Sequence, residues 1–179
     1  MFASERCFAD YYSYYEEICT LDALYTTRPD GTGIFRIELP RSVTRGEDPA
    51  WSPDGNTIVF SCVMAGARKL CAVSSDGTGF RELNATGGED SHPSWSPDGS
   101  RLVFATSRFG PVELATIKPD GTDFRRMDPP LRGASPAWAR DGRILFSATG
   151  GLARVNADGT GFVLLTHDAD THPAPRPPR

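Results

Sequence analysis

Trp51-Ser52-Pro53-Asp54-Gly55 recurs as Trp95-Ser96-Pro97-Asp98-Gly99, 44 residues on, and a weaker copy, Trp138-Ala139-Arg140-Asp141-Gly142, follows after 43 more. A second landmark alternates with the first: Asp30-Gly31-Thr32-Gly33, Asp76-Gly77-Thr78-Gly79, Asp120-Gly121-Thr122-Asp123 and Asp158-Gly159-Thr160-Gly161. Self-similarity at a near-constant period is the signature of a repeat architecture. Both landmarks have turn chemistry. Ser-Pro-Asp-Gly sets Pro, whose φ is already fixed, at the second turn position and supplies Gly where φ must be positive. Asp-Gly-Thr-Gly suits a hairpin by the same logic.

The segments between the landmarks read as strands. Ile58-Val59-Phe60-Ser61, Leu102-Val103-Phe104-Ala105 and Ile144-Leu145-Phe146-Ser147 are short β-branched or aromatic runs bounded by turn residues. They are apolar at consecutive positions, which is the pattern of a strand buried on both faces. A weaker strand precedes each Asp-Gly-Thr, at 70–73, 114–117 and 152–155, and a last one starts at Phe80, Phe124 or Phe162. Each repeat is therefore four antiparallel strands, a to d, with the Trp on strand a. A four-stranded unit of about 40–45 residues is the blade of a β-propeller. The expected fold class is all-β, with about four blades. A partial first blade (strands b, c and d) covers 1–43 and carries a Tyr-rich insertion at 8–20. Blade two covers 44–87, blade three 88–131 and blade four 132–166, with a strand-a stub and a Pro-rich tail at 167–179.

Composition removes several classes. The 179 residues are 39 % hydrophobic and 23 % charged, too apolar for a disordered chain and too polar for a membrane protein. The net charge of −4, with no Lys/Arg stripe, argues against nucleic-acid binding. No apolar run is long enough to be a membrane span. No basic segment followed by an apolar stretch marks a signal peptide in this chain.

The order Pro-x-Trp-Ser-Pro-Asp-Gly, apolar strand, Asp-Gly-Thr-Gly-Phe-Arg resembles the TolB-like β-propeller repeat, and the resemblance covers 24–165. It implies a binding scaffold for a protein or peptide at an extracytoplasmic site, periplasmic or extracellular. The motifs speak to the fold far more than to the function. Propellers of this family usually have more blades than this chain shows. Three readings stay open: part of a longer propeller, a closed four-blade ring, or an open arc whose blade edges support self-association.

Four features bear on function. Cys7 and Cys19 bracket the first b–c connection, and Cys62 and Cys71 sit at facing strand ends, so two local disulfides and an oxidising compartment are expected. The 8–20 insertion holds Tyr11, Tyr12, Tyr14 and Tyr15, side chains that offer large contact area with a polar tip. The residue before each strand-a Pro is Asp48, His92, Ser135 or His172. The start of strand a faces the channel mouth of a propeller, so these side chains should line it, joined by Glu47, Glu89 and Asp90. Together with the tyrosines they form the expected partner-binding face, because variable loops on a rigid scaffold carry binding sites. Finally, nucleophile-elbow, zincin, phosphate-loop and dinucleotide signatures are missing, and so is any Cys-x-x-Cys pair. No catalytic residue, metal or cofactor is expected. The alternative is the propeller portion of a peptidase or carbohydrate-acting enzyme whose catalytic domain lies elsewhere.

Overall fold

The computed structural model describes residues 23–83 and 88–166. Cys7, Cys19, the four insertion tyrosines and His172 lie outside the described residues. Strands β1 (Ala23–Thr26) and β2 (Phe35–Glu38) form an antiparallel pair. β3 (Val43–Trp51), β4 (Thr57–Met64), β5 (Ala67–Ser74) and β6 (Arg81–Glu82) form the next sheet, each strand pairing with its sequence neighbour. β7 (Asp90–Trp95), β8 (Leu102–Thr106), β9 (Glu113–Ile117) and β10 (Arg125–Arg126) repeat that meander. So do β11 (Gly133–Trp138), β12 (Arg143–Ala148), β13 (Gly151–Asn156) and β14 (Val163–Leu164). Among the described residues there is no helix. The three complete meanders are propeller blades in the expected strand order. Strand d is shorter than its sequence suggests: β6, β10 and β14 span two residues each, starting just after the Phe.

Blades two and three bury both faces. The first junction packs Leu24, Ile37 and Leu39 against Val43, Ile58, Phe60 and Val73. The second sets Val59, Leu70, Ala72 and Leu83 against Leu102, Phe104, Ala115 and Ile117. The third sets Val103, Leu114, Met127 and Leu131 against Ile144, Phe146, Ala153 and Val155. Adjacent residues on one strand thus serve opposite junctions, which is why the runs are apolar without alternation. The Phe of strand b meets the Phe before strand d in each of the three complete blades, Phe60–Phe80 at 6.5 Å and both Phe104–Phe124 and Phe146–Phe162 at 6.1 Å between centroids. Cys62 and Cys71 are joined by a disulfide with a Cα separation of 5.9 Å, fully buried in the first junction. The link runs diagonally, since the ladder pairs Cys62 with Lys69 and Cys71 with Phe60.

The three Trp occupy one register, opposite Ile58, Leu102 and Ile144. Their burial differs. Trp95 and Trp138 pack on the second and third cores, whereas Trp51 is 38 % exposed. Trp95 gains its cover from the preceding strand a, donating from Nε1 to the Ala50 carbonyl at 3.1 Å. The strand that would do this for Trp51 is not among the described residues. At the other end, Leu152 and Leu165 are 41 and 45 % exposed, although their counterparts Leu70, Leu83, Leu114 and Met127 are buried.

Two of the three described a–b turns are each locked by one hydroxyl. In blade three, Ser96 Oγ donates to Asp98 Oδ1 at 2.6 Å and accepts from the Arg101 N–H at 2.9 Å. Ser52 is placed in the same way between Asp54 and the Thr57 N–H. The Ser96 hydroxyl, then the backbone and side chain of Ser100, pull the Asp98 carboxyl from 3.8 down to about 2. A depressed folded value makes the ionised carboxylate stabilising above its unfolded value, and that contribution is lost as pH falls toward 2. Ser96→Ala should therefore move the Asp98 titration back up toward 3.8, read from its carboxyl resonance by NMR.

Gly121 carries the inter-blade contact. A Cβ there would stand 2.1 Å from the Leu83 carbonyl oxygen, whereas one on Gly55 meets nothing within 4 Å; both have positive φ, +85° and +75°. Both Ala variants carry the left-handed backbone penalty of about 1 kcal/mol. Gly121→Ala should lose clearly more stability in urea than Gly55→Ala, because only it forces two blades apart.

Candidate functional site

Each innermost strand breaks at the same point. Glu47 pairs with Ser61 and Ala50 with Val59, so Asp48 and Pro49 face Phe60 alone. His92 and Pro93 face Phe104 in the same way, and Ser135 and Pro136 face Phe146. Proline has no N–H for the ladder, so the strand bulges there and the residue before it is re-aimed. Asp48, His92 and Ser135 all take the left-handed conformation, with φ of 50°, 53° and 50°. Such backbone is uncommon for non-Gly residues and is held only where the surroundings fix it.

A bridge between blades two and three fixes two of them. Ser61 Oγ donates to Asp48 Oδ2 at 3.0 Å and accepts from the His92 backbone N–H at 3.1 Å. His92 Nε2 stands 3.8 Å from the same Asp48 oxygen, and its Nδ1 lies 3.0 Å from Ser91 Oγ. Asp48 and His92 remain partly open, with side chains 33 and 41 % exposed. Ser135 holds the equivalent bulge of blade four, but among the described residues nothing ties it to this network. Ala105, which stands where Ser61 does, has no hydroxyl to make the bridge.

The acidic neighbours divide differently from expectation. Asp90 is buried, with Arg108 Nη2 2.7 Å from its Oδ2, so it does not line the mouth. Arg108 in turn sits over the Phe124 ring at 4.7 Å. Glu47 is held between Arg45 at 3.2 Å and Arg68 at 3.1 Å. Glu89 is exposed, its N–H donating to Ser107 Oγ. The ion pairs were not readable from the sequence, because Arg68 and Arg108 belong to strands or loops that only the blade register brings alongside. Ser61 was missed as well. Its signal is the hydroxyl that ends the apolar run of strand b, a residue shared with Ser147 of blade four but replaced by Ala105 in blade three. Among the described residues no cluster of three His, Cys, Asp or Glu is arranged to hold a metal.

The arrangement offers one carboxylate, one imidazole and two hydroxyls at the start of adjacent inner strands. It can donate and accept hydrogen bonds toward a bound segment. Nothing in it positions a nucleophile against an oxyanion hole.

The TolB beta propeller domain (PD40) matches residues 38–176, and the chain belongs to that family. Among solved structures it is similar to putative TolB from Agrobacterium tumefaciens, at 19 % identity and a TM-score of 0.63, over 79 % of this chain and 59 % of that one. It is also similar to TolB from Acinetobacter baumannii, at 18 % identity and a TM-score of 0.67, over 81 % of this chain and 38 % of that one. A puromycin hydrolase matches at 20 % identity and a TM-score of 0.58, over 75 % of this chain and 24 % of that one. The chain thus spans 59 % or less of the length of these proteins. No curated protein matches the sequence.

Ser61→Ala should leave the His92 N–H without its partner and release Asp48, a loss of about 1–3 kcal/mol. Ser147 holds the corresponding position of blade four and is exposed, so Ser147→Ala should stay within about 0.5 kcal/mol. Urea unfolding of the two variants side by side reads the difference.

Proposed function

We propose that this chain is a non-enzymatic propeller scaffold that binds a protein or peptide partner at the face where the inner strands begin. The observation that carries the reading is the repeated bulge, which aims Asp48, His92 and Ser135 from equivalent points of successive blades. Strained, polar, partly open residues on a rigid frame are suited to recognition. The b–c connections open on the same face, which adds Tyr11, Tyr12, Tyr14 and Tyr15 from the insertion and His172 from the last x-Pro step to the proposed contact set. Aromatic anchors dominate many protein interfaces. Membership of the TolB propeller family supports a binding role, and the buried Cys62–Cys71 link supports a periplasmic or extracellular setting.

A second reading has a specific observation behind it. The fold likeness extends to a puromycin hydrolase and to an oligogalacturonate lyase, so the blades could instead present substrate to a catalytic domain. The two readings separate on activity: purified protein that turns over ester, peptide or oligogalacturonide substrates would favour the second.

The test of the first reading compares three variants in a partner titration. One alters Asp48, His92 and Ser135 to Ala, one alters the four insertion tyrosines to Ala, and one alters Thr78 and Thr122 on the opposite turns. The first two should lose at least about tenfold in affinity, as removal of central anchors does, and the third should bind as the parent does. Loss confined to the turn variant would put the partner on the other face.

A further inference from the structure

The a–b turns close against one another at one blade junction and part at the next. Between blades two and three, Pro53 reaches over Gly99, its Cδ 3.7 Å from where a Cβ would stand, and the Trp95 indole crosses to the Ala50 carbonyl. Between blades three and four nothing lies within 4 Å of the corresponding point on Gly142. There the Trp138 indole N–H turns back to the Gly142 carbonyl of its own turn at 3.1 Å, while the Trp138 backbone N–H donates to Ser94 Oγ at 2.9 Å. The result is a cleft of about 460 Å³ lined by Ser96, Asp98, Arg101, Trp138, Arg140 and Asp141.

This cleft coincides with the one a–b turn, among the described residues, that departs from Ser-Pro-Asp-Gly. Ala139 replaces the Ser that locks the other two turns, and Arg140 replaces their Pro. The charges lining the cleft are mostly engaged. Arg101 is held by Asp123 Oδ2 at 2.8 Å and by the Asp123 carbonyl at 2.7 Å, with Thr116 Oγ1 beneath. Asp98 accepts from Ser96 and Ser100, and Asp141 faces Arg143 Nε at 3.4 Å. Arg140 is exposed, and among the described residues no carboxylate pairs with it.

We infer that this cleft is a binding site for a small aromatic monocarboxylate, its ring against the Trp138 indole and its carboxylate on the Arg140 guanidinium. An indole supplies a rigid apolar wall. A guanidinium presents a planar fork that matches a carboxylate. The volume falls in the usual range for small-ligand sites, about 300–1,000 Å³. The site lies on the turn face, opposite the inner-strand bulges, and stands independently of the proposed partner.

The test uses the ¹⁵N-labelled protein and two probes of one shape, N-acetylphenylalanine and its neutral amide. The Trp138 indole resonance is assigned by its loss in Trp138→Phe. The acid should shift that resonance saturably, and the amide should bind at least roughly tenfold more weakly, the loss expected when a charge-assisted hydrogen bond is removed. Arg140→Ala should erase the preference for the acid. Restoring the repeat with Ala139→Ser and Arg140→Pro together should abolish the saturable shift. The Trp95 resonance, unchanged in each variant, shows that the blades remain folded. Equal titration by acid and amide, no saturable Trp138 shift, or an undiminished acid preference in Arg140→Ala would each overturn the inference.

Discussion

Everything in this molecule depends on a sheet that has no solvent face. A four-stranded meander with apolar residues at consecutive positions of its central strands must be covered on both sides. The cover is the next copy of itself. Phe60, Phe104 and Phe146 each lie in the junction with the preceding blade, while Val59 and Val103 on the same strands lie in the junction with the following one. Burial of a Phe or Val side chain is worth about 1.5–3 kcal/mol, so a blade standing alone would forfeit several such terms at once. Stability in such arrays is set by nearest-neighbour interfaces. That accounts for the contrast at the two ends, where Trp51, Leu152 and Leu165 are left partly open although their counterparts are covered.

Once the blades stack, the inner strands run side by side. The Pro at a fixed position of each removes a ladder donor beside the buried Phe, and the bulge follows. The same packing that stabilises the frame therefore dictates where polar side chains are re-aimed. Blade identity then decides what happens there. Ser61 ties Asp48 to His92 across one junction, and Ala105 gives no such tie at the next. The opposite face follows the same rule. Ser52 and Ser96 lock two a–b turns, and the turn lacking that Ser sits over an open cleft.

Most of the frame was legible in the sequence because its turns are chemical punctuation. Pro and Gly at fixed turn positions, with Asp bonding to the Thr or Ser two residues on, read directly as hairpins. The two-sided burial of strand b was legible from its unbroken apolar run. Strand d was read as too long, since the Phe that marks its start packs on Phe60, Phe104 or Phe146 before the ladder begins. The polar site was legible only in part. The x-Pro step pointed to Asp48, His92 and Ser135, but not to Ser61, whose role depends on a backbone N–H from another blade. Asp90 illustrates the converse. Its charge suggested exposure, yet Arg108 arrives from 18 residues on to cover it.

The measurement closest to the central account is a double-mutant cycle across one junction. Leu83 and Phe104 belong to different blades and one core, whereas Leu83 and Phe146 belong to different cores. Each Ala variant and each pair is unfolded in urea. Leu83→Ala and Phe104→Ala should couple by about 0.5–3 kcal/mol, and Leu83→Ala and Phe146→Ala should add within about 0.5 kcal/mol. Additivity in the first pair, or equal coupling in both, would contradict the view that blade-to-blade packing in a repeated register holds this structure together.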